Sequence, residues 1–304
     1  MEIKEWTYEE YPSFDAYVEG AVRIPTTGNE KGTYIFSNVE YANINGVPLH
    51  LQIITPQSRN TQDTPQQYPC LVYVQGSAWQ QQNINAKLGL LSRLVEKGYV
   101  IAVVEYRNSE IASFPAVAMD TQNAIRFMKL HSAEYMADPD KVFAGGDSSG
   151  AHAAMFSQLL PEDKAENIYP GIRADVKGIL SFYGANSVML EDGMPSTINH
   201  HLPDSPEGKV MGGVNLREHP ELCRKMSVEC NVDEHTPLPP VLLFHGTKDR
   251  TINPHVSVLV YQRLKQCGKD VQLYLLEGAD HGGSEFWTEE IQHIVIQFLE
   301  HCLK

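Results

Sequence analysis

The stretch AGGDSSGAH, residues 144–152, contains a serine in the spacing that a catalytic nucleophile requires. Gly146 and Gly150 lie two residues before and two residues after Ser148, which matches the pattern G-x-S-x-G. In that pattern the serine occupies a tight turn between a strand and a helix, where larger neighbours would collide. The flanking runs KVFAG and AHAAMFSQLL are typical of a strand and a helix. We therefore interpret Ser148 as a nucleophile rather than an ordinary residue of a glycine-rich loop.

A serine hydroxyl becomes a good nucleophile only when a histidine removes its proton and a carboxylate orients that histidine. Asp249 follows the strand-like run PPVLLFHG, and His281 lies in the glycine-rich run LLEGADHGG after the next strand-like run. Taken alone, Asp249 is more typical of a residue that forms a turn, and His281 of a loop histidine that caps a backbone group. Asp280 is the weaker candidate for the acid, because adjacent loop residues seldom point their side chains at each other. Along the chain the three residues occur in the order Ser148, Asp249, His281, which is the order expected of an α/β-hydrolase triad. The sequence therefore predicts that they form one site.

The elements that position these residues follow from hydrophobic patterning. Short apolar runs such as CLVYVQG and YVIAVVEY predict buried strands, and INAKLGLLSRLVEKG has apolar residues at helical spacing. The same alternation continues to the last helix, which predicts an α/β fold with a mostly parallel sheet and helices on both faces. Ligands bind at the carboxyl ends of strands in such sheets, where all three candidate residues fall.

Domain organisation is predicted to be a single domain over residues 1–304. Two segments, 1–30 and 186–238, are candidates for a small cap over the carboxyl edge of the sheet. The first is rich in aromatic residues and is expected either to cover the pocket or to pack against the last helices. The polar segment from Gln57 to Gln67 is interpreted as a surface connection.

Composition argues against several classes of protein, namely those that bind nucleic acid or membranes and those built on disulfides or zinc. The chain has 304 residues, 42% of them hydrophobic, and a formal net charge of −14, which argues against nucleic acid or an anionic membrane as a partner. We expect a cytoplasmic protein, because no signal peptide and no apolar run long enough to span a bilayer are present. The five scattered cysteines predict free thiols, not a disulfide framework or a zinc site.

Histidines in the second cap candidate raise the question of a metal. His200, His201, His219 and His235 have no spacing typical of metal ligands, so we interpret them as surface or cap residues. Neither a metal nor an organic cofactor is implied.

From about residue 68 onward, the chain resembles the α/β-hydrolase fold esterases of the hormone-sensitive-lipase-like and acetylxylan or feruloyl esterase groups. The similarity rests on YVQGSAW, EYRNSEIASFPAVAMDTQNAIRFM, DPDKVFAGGDSSGAH, PPVLLFHGTKD and LLEGADHGG, in that order. The resemblance implies an α/β-hydrolase fold. It also implies that Ser148, Asp249 and His281 are nucleophile, acid and base.

The chain departs from this family in the loop that supplies backbone N–H groups to the oxyanion. Where the family has H-G-G-G or H-G-G-x-W, this chain has Gln75-Gly76-Ser77-Ala78-Trp79. By the resemblance, Ser77, Ala78 and Ser149 are the expected oxyanion donors, and Trp79 is a candidate wall of the acyl pocket. A positive φ at Ser77 would strain the loop.

The resemblance implies a serine carboxylesterase that hydrolyses small acyl esters, such as acetyl esters of sugars, through an acyl-enzyme. An amide hydrolase, either a formamidase or a small peptidase, is the alternative with the same triad. A catalytically silent scaffold is a further alternative, motivated by the altered loop. The expected partner is a small-molecule ester, and a homo-oligomer is compatible with the sequence.

Overall fold

A computed structural model describes residues 3–58, 66–161, 166–189 and 194–304. Its centre is an eight-stranded sheet with the order β1-β2-β4-β3-β5-β6-β7-β8. The strands are β1 (Gly32–Ile44), β2 (Val47–Gln57), β3 (Tyr68–Val74), β4 (Val100–Val104), β5 (Ala137–Asp147), β6 (Ile179–Phe182), β7 (Val241–Gly246) and β8 (Val271–Leu276).

Most of the sheet is parallel. From β4 through β3, β5, β6 and β7 to β8 every neighbouring pair is parallel, whereas β2 is antiparallel to both β1 and β4. The predicted α/β-hydrolase class with a mostly parallel sheet is confirmed. The β1–β2 hairpin was not predicted, and β1 in particular is largely exposed and has no continuous apolar run.

Helices cover both faces of this sheet. They are α1 (Leu88–Glu96), α2 (Ala116–Leu130), α3 (Ser149–Leu159), α4 (Pro206–Val210), α5 (Pro220–Met226), α6 (His255–Gln266) and α7 (Glu289–His301). Helix α3 begins at Ser149, two residues before the predicted start, because the turn at Ser148 passes directly into the helix.

The parallel strands are buried on both faces, so their alternate side chains supply two separate cores. On one face Val72 and Val74 of β3 belong to a core completed by α2, α3 and α6. On the other face Leu71 and Tyr73 belong to a core completed by α1 and α7. The continuous apolar runs recognised in the sequence are therefore required by the two-sided burial.

The two cap candidates differ in structure. Residues 3–27 are exposed, and the rings of Trp6 and Tyr11 among them pack edge-on against each other. The described part of 186–238 contains α4, α5 and two short 3₁₀ helices, at Leu216–Glu218 and Val228–Cys230. The assignment of either segment as a cap stays a prediction. Residues 190–193 and 59–65, the latter in the predicted Gln57–Gln67 connection, lie outside the described residues.

The turn between β5 and α3 is packed too closely for side chains at its glycines. A Cβ atom added at Gly150 would lie 2.0 Å from the carbonyl oxygen of Val74, and one at Gly146 would lie 2.5 Å from that same oxygen. Gly76 in the neighbouring loop is equally confined, since its Cβ would lie 2.4 Å from the carbonyl oxygen of Asp147. Backbone therefore packs directly on backbone around Ser148.

This packing predicts a large difference between two glycine substitutions. Gly150→Ala should lower the free energy of unfolding by about 1–3 kcal/mol, because the new methyl group overlaps backbone that cannot rotate away. Gly89→Ala in α1 is the matched control, since nothing lies within 4 Å of its added Cβ. Alanine there should be neutral or stabilising by up to about 1 kcal/mol. Urea unfolding of both variants measures the difference, and equal stability of the two would contradict the close packing.

Candidate active site

The backbone at Ser148 is strained in the way that the motif requires. Ser148 has φ 51° and ψ −125°, a positive φ that L-residues rarely adopt. The residue occupies the N-cap position of α3, and its amide donates to the carbonyl oxygen of Phe182 on the neighbouring strand. This conformation directs the hydroxyl toward His281, whose Nε2 lies 2.9 Å from Ser148 Oγ.

His281 is oriented from its other side by a carboxylate. Its Nδ1 lies 2.7 Å from Oδ2 of Asp249. An ionised carboxylate only accepts hydrogen bonds, so Nδ1 carries the proton and Nε2 is left as the acceptor for the Ser148 hydroxyl. The structure thus brings the three residues predicted from the sequence into one hydrogen-bonded line.

Asp249 is buried and held by more than His281. Its Oδ1 accepts hydrogen bonds from the amides of Thr251 at 2.9 Å and Ile252 at 2.8 Å. Its Oδ2 lies 3.1 Å from Nε2 of His245. Burial opposes ionisation, but the hydrogen bonds from His245 and His281 outweigh it and lower the pKa of Asp249 to about 2. The acid therefore stays ionised throughout the neutral range.

His245 is a part of the site that the sequence analysis missed. This histidine lies four residues before Asp249, near the end of β7, and is fully buried. Its Nδ1 lies 2.7 Å from Oγ of Ser257 in α6. The run HGTKD contained the signal, because a histidine at the end of a buried strand needs a polar partner.

The weaker candidate for the acid has a different partner. Oδ2 of Asp280 accepts a hydrogen bond from Nε of Arg250 at 2.7 Å, and its Oδ1 accepts from the amide of His281 at 2.8 Å. The carboxylate therefore fixes the backbone of the loop and contacts the amide of His281 instead of its ring.

The loop expected to bind the oxyanion has its positive φ values at Ala78, 56°, and Trp79, 55°, and not at Ser77. The strain considered for Ser77 is therefore absent, and Ala78 and Trp79 adopt the rare conformation instead. The Ser77 amide donates to Oγ of Ser149 at 3.0 Å. Within the described residues the amides of Ala78 and Ser149 have no protein acceptor.

Trp79, predicted to wall the acyl pocket, is buried, with 1% of its surface exposed. Its ring packs edge-on against His152, with the ring centroids 5.3 Å apart. It is not among the described residues that line the cavity beside Ser148. Contact between Trp79 and a substrate stays a prediction.

A cavity of about 600 Å³ opens beside Ser148. Its lining comes from the loop after β3, the start of α1, the turn at Ser148 and the loop after His281. Polar and apolar groups both face it, including Lys87, Tyr183, Leu90 and Trp287. A larger cleft of about 860 Å³ between α1 and α7 is lined mainly by charged side chains and lies apart from Ser148.

The histidines of the second cap candidate have local partners. Nδ1 of His200 lies 2.9 Å from Oε1 of Glu207, and Nδ1 of His219 lies 3.2 Å from Oε1 of Glu221. Across the described residues, no group of three histidine, cysteine or acidic side chains is arranged to hold a metal ion. Over the same part of the chain, no helix has the length and apolar character needed to cross a bilayer.

Similar proteins of known sequence are named as esterases. The chain is 30% identical over 221 residues to esterase LipQ of Mycobacterium tuberculosis, covering 70% of this chain and 50% of that protein. It is 25% identical over 249 residues to the probable isoprenylcysteine alpha-carbonyl methylesterase ICMEL1 of Arabidopsis thaliana, covering 75% and 50% respectively. The chain therefore spans about half the length of these relatives.

Solved structures show the same fold. A truncated carbohydrate esterase from gut microbiota has a TM-score of 0.74 at 20% identity, covering 91% of this chain and 98% of that one. Esterase 2 of Thermogutta terrifontis, solved with butyrate, has a TM-score of 0.69 at 22% identity, covering 89% and 94%. The BD-FAE family model matches residues 51–264, which include Ser148 and Asp249. This match covers more than half of the sequence, and the chain belongs to the BD-FAE family.

Proposed function

We propose that this chain is a serine carboxylesterase that cleaves small acyl esters through an acyl-enzyme. The observation that carries the proposal is the line from Ser148 through His281 to Asp249, with contacts of 2.9 Å and 2.7 Å. The esterase names of the sequence relatives support the same reaction class.

In this mechanism Ser148 Oγ attacks the ester carbonyl carbon while Nε2 of His281 takes the hydroxyl proton. Asp249 stabilises the imidazolium that forms. The imidazolium then gives its proton to the leaving alcohol, and a covalent ester on Ser148 remains. A water molecule activated by the same imidazole then hydrolyses this intermediate, which releases the carboxylic acid product and restores the Ser148 hydroxyl.

The developing oxyanion needs backbone donors. We assign the amides of Ala78 and Ser149 to this role, since they have no protein acceptor within the described residues. The start of α3 adds its partial positive charge at Ser149. Ser77 is the third candidate donor to the oxyanion. Its amide now donates to the hydroxyl oxygen of Ser149, and this hydrogen bond would have to break before the amide could bind the oxyanion.

The size and lining of the cavity support a proposal for the class of substrate. A volume of about 600 Å³ is in the range of small-molecule sites, and polar residues lie beside apolar ones. Short acyl esters of small polar alcohols, acetylated sugars among them, are the proposed substrates. The carbohydrate esterase with the same fold supports testing acetylated sugars.

The first test is a panel of p-nitrophenyl esters from acetate to octanoate. The wild-type protein should hydrolyse the short esters, and Ser148→Ala should lose acyl-enzyme formation because the attacking oxygen is gone. A fluorophosphonate probe should label the wild type and not the variant. Circular dichroism checks that the variant is folded. Absence of both turnover and labelling in the wild type would instead favour a catalytically silent scaffold.

A second test separates the two candidate acids. Asp249→Asn should reduce kcat about ten-thousandfold, because the amide cannot fix the imidazole in the productive tautomer. Asp280→Asn is the matched control and should have a much smaller effect, since Asp280 pairs with Arg250. A larger loss in Asp280→Asn than in Asp249→Asn would overturn the assignment.

A third test is the dependence of kcat/KM on pH. Activity should decline as the pH is lowered through the range in which imidazole is protonated, because imidazolium cannot accept the proton of Ser148. Asp249 adds no acid limb there, since its pKa is lowered to about 2 and it remains ionised. To distinguish this loss from unfolding, the protein is exposed briefly to acid and its activity is then measured again at neutral pH. A loss caused by protonation alone should be fully reversed. Constant activity across that range would contradict His281 as the base.

A further inference from the structure

A buried polar cluster next to the nucleophile has no role in the mechanism above. Asp147 immediately precedes Ser148, and its side chain is 4% exposed. Its Oδ1 accepts from the hydroxyl of Tyr73 at 2.8 Å, and its Oδ2 accepts from the ammonium of Lys87 and from the hydroxyl of Tyr183 at 3.3 Å. The Lys87 ammonium also donates to the Tyr183 hydroxyl at 3.0 Å.

Lys87 has one donor that the protein does not use. An ammonium has three N–H groups, and within the described residues only Asp147 and Tyr183 supply oxygen acceptors to it. The Lys87 side chain is 21% exposed and lines the cavity that contains Ser148. Because two contacts and the start of α1 fix the side chain, the remaining N–H is held in place before a ligand arrives.

The position of Lys87 points to the alcohol half of the ester. Tyr183, which accepts from Lys87, packs edge-on against His281 with the ring centroids 4.9 Å apart. Gly282, Gly283 and Ser284, which follow His281, line the same cavity as Lys87. His281 must protonate the leaving oxygen, so the alcohol half has to lie on the side of Ser148 where His281 stands.

Local charge favours a neutral ligand over an anion. Asp147 balances the charge of Lys87, and the ionised Asp249 lies behind His281. The chain as a whole carries a formal net charge of −14, which repels anions. A neutral oxygen acceptor avoids this repulsion and still takes the unused N–H.

We propose that Lys87 is a specificity-determining residue that donates a hydrogen bond to a neutral oxygen in the alcohol half of the substrate. This inference rests on the proposed ester hydrolysis and adds to it a requirement on the alcohol. A hydroxyl, ether or carbonyl oxygen close to the scissile ester satisfies it.

The test compares acetate esters that differ by one atom. Tetrahydropyran-2-ylmethyl acetate has a ring oxygen where cyclohexylmethyl acetate has a methylene group, and 2-methoxyethyl acetate is related to butyl acetate in the same way. In wild type the oxygen-containing ester of each pair should have the higher kcat/KM by about tenfold, since a hydrogen bond to a charged donor contributes that much or more. Division by the rates of hydroxide-catalysed hydrolysis corrects for the different reactivity of the esters.

Lys87→Met should reduce the ratio of kcat/KM between the oxygen-containing ester and its methylene analogue to near one, whatever effect the substitution has on overall activity. Asp147 keeps its hydroxyl donors Tyr73 and Tyr183 in that variant. Lys265→Met on the exposed surface of α6 is the matched control and should leave the ratio unchanged. Lys87→Arg, which keeps the charge beside Asp147, should retain part of the preference.

The ratio in the wild-type protein can overturn the inference even if Lys87→Met does not fold, and an unchanged ratio in a folded Lys87→Met variant overturns it as well. Equal rates within both ester pairs would overturn the role of Lys87 while leaving ester hydrolysis intact. A wild-type preference for 3-carboxypropyl acetate over all neutral esters would overturn the neutral-ligand assignment. Absence of turnover for every ester, including the p-nitrophenyl panel, would overturn the proposed function and this inference together.

Discussion

The close approach of backbone to backbone around Ser148 is the constraint on which the site depends. Gly146 and Gly150 crowd the carbonyl oxygen of Val74, and Gly76 crowds that of Asp147. Only glycine fits at these contacts, and they allow the chain to reverse sharply with a positive φ at Ser148. The surrounding sheet and α3 over-determine this conformation. Strain at one residue thereby projects a hydroxyl from an otherwise buried turn.

The Asp249 carboxylate is fixed by a second set of contacts. Asp249 follows β7 and is buried, yet it remains ionised because backbone amides and two imidazoles surround it. His245 binds the same carboxylate oxygen as His281 and is itself held by Ser257. Asp249 is therefore held by the buried His245 on one side and by the ring of His281 on the other. Rigid support of this kind keeps His281 aligned without movement of the acid.

The turn at Ser148 also connects the Ser148–His281–Asp249 line to the buried polar cluster around Asp147. Asp147 lies between the strained serine and the cluster of Tyr73, Lys87 and Tyr183. Tyr183 contacts the His281 ring from that cluster. One buried carboxylate thus connects α1, the end of β6 and the imidazole. The carboxyl ends of the parallel strands meet at one edge of the sheet, so residues far apart in sequence line one cavity.

The sequence by itself determined the α/β class, most central strands, and Ser148, Asp249 and His281 as candidates, because hydrophobic runs and glycine spacing are local signals. It did not reveal β1, which is largely exposed, or β2, whose buried apolar residues are interrupted by the polar residues His50 and Gln52. Only the tertiary structure decided which carboxylate faces His281, placed His245 behind it, and assembled the Lys87 cluster. These arrangements depend on contacts between residues distant in the chain, which no local pattern encodes.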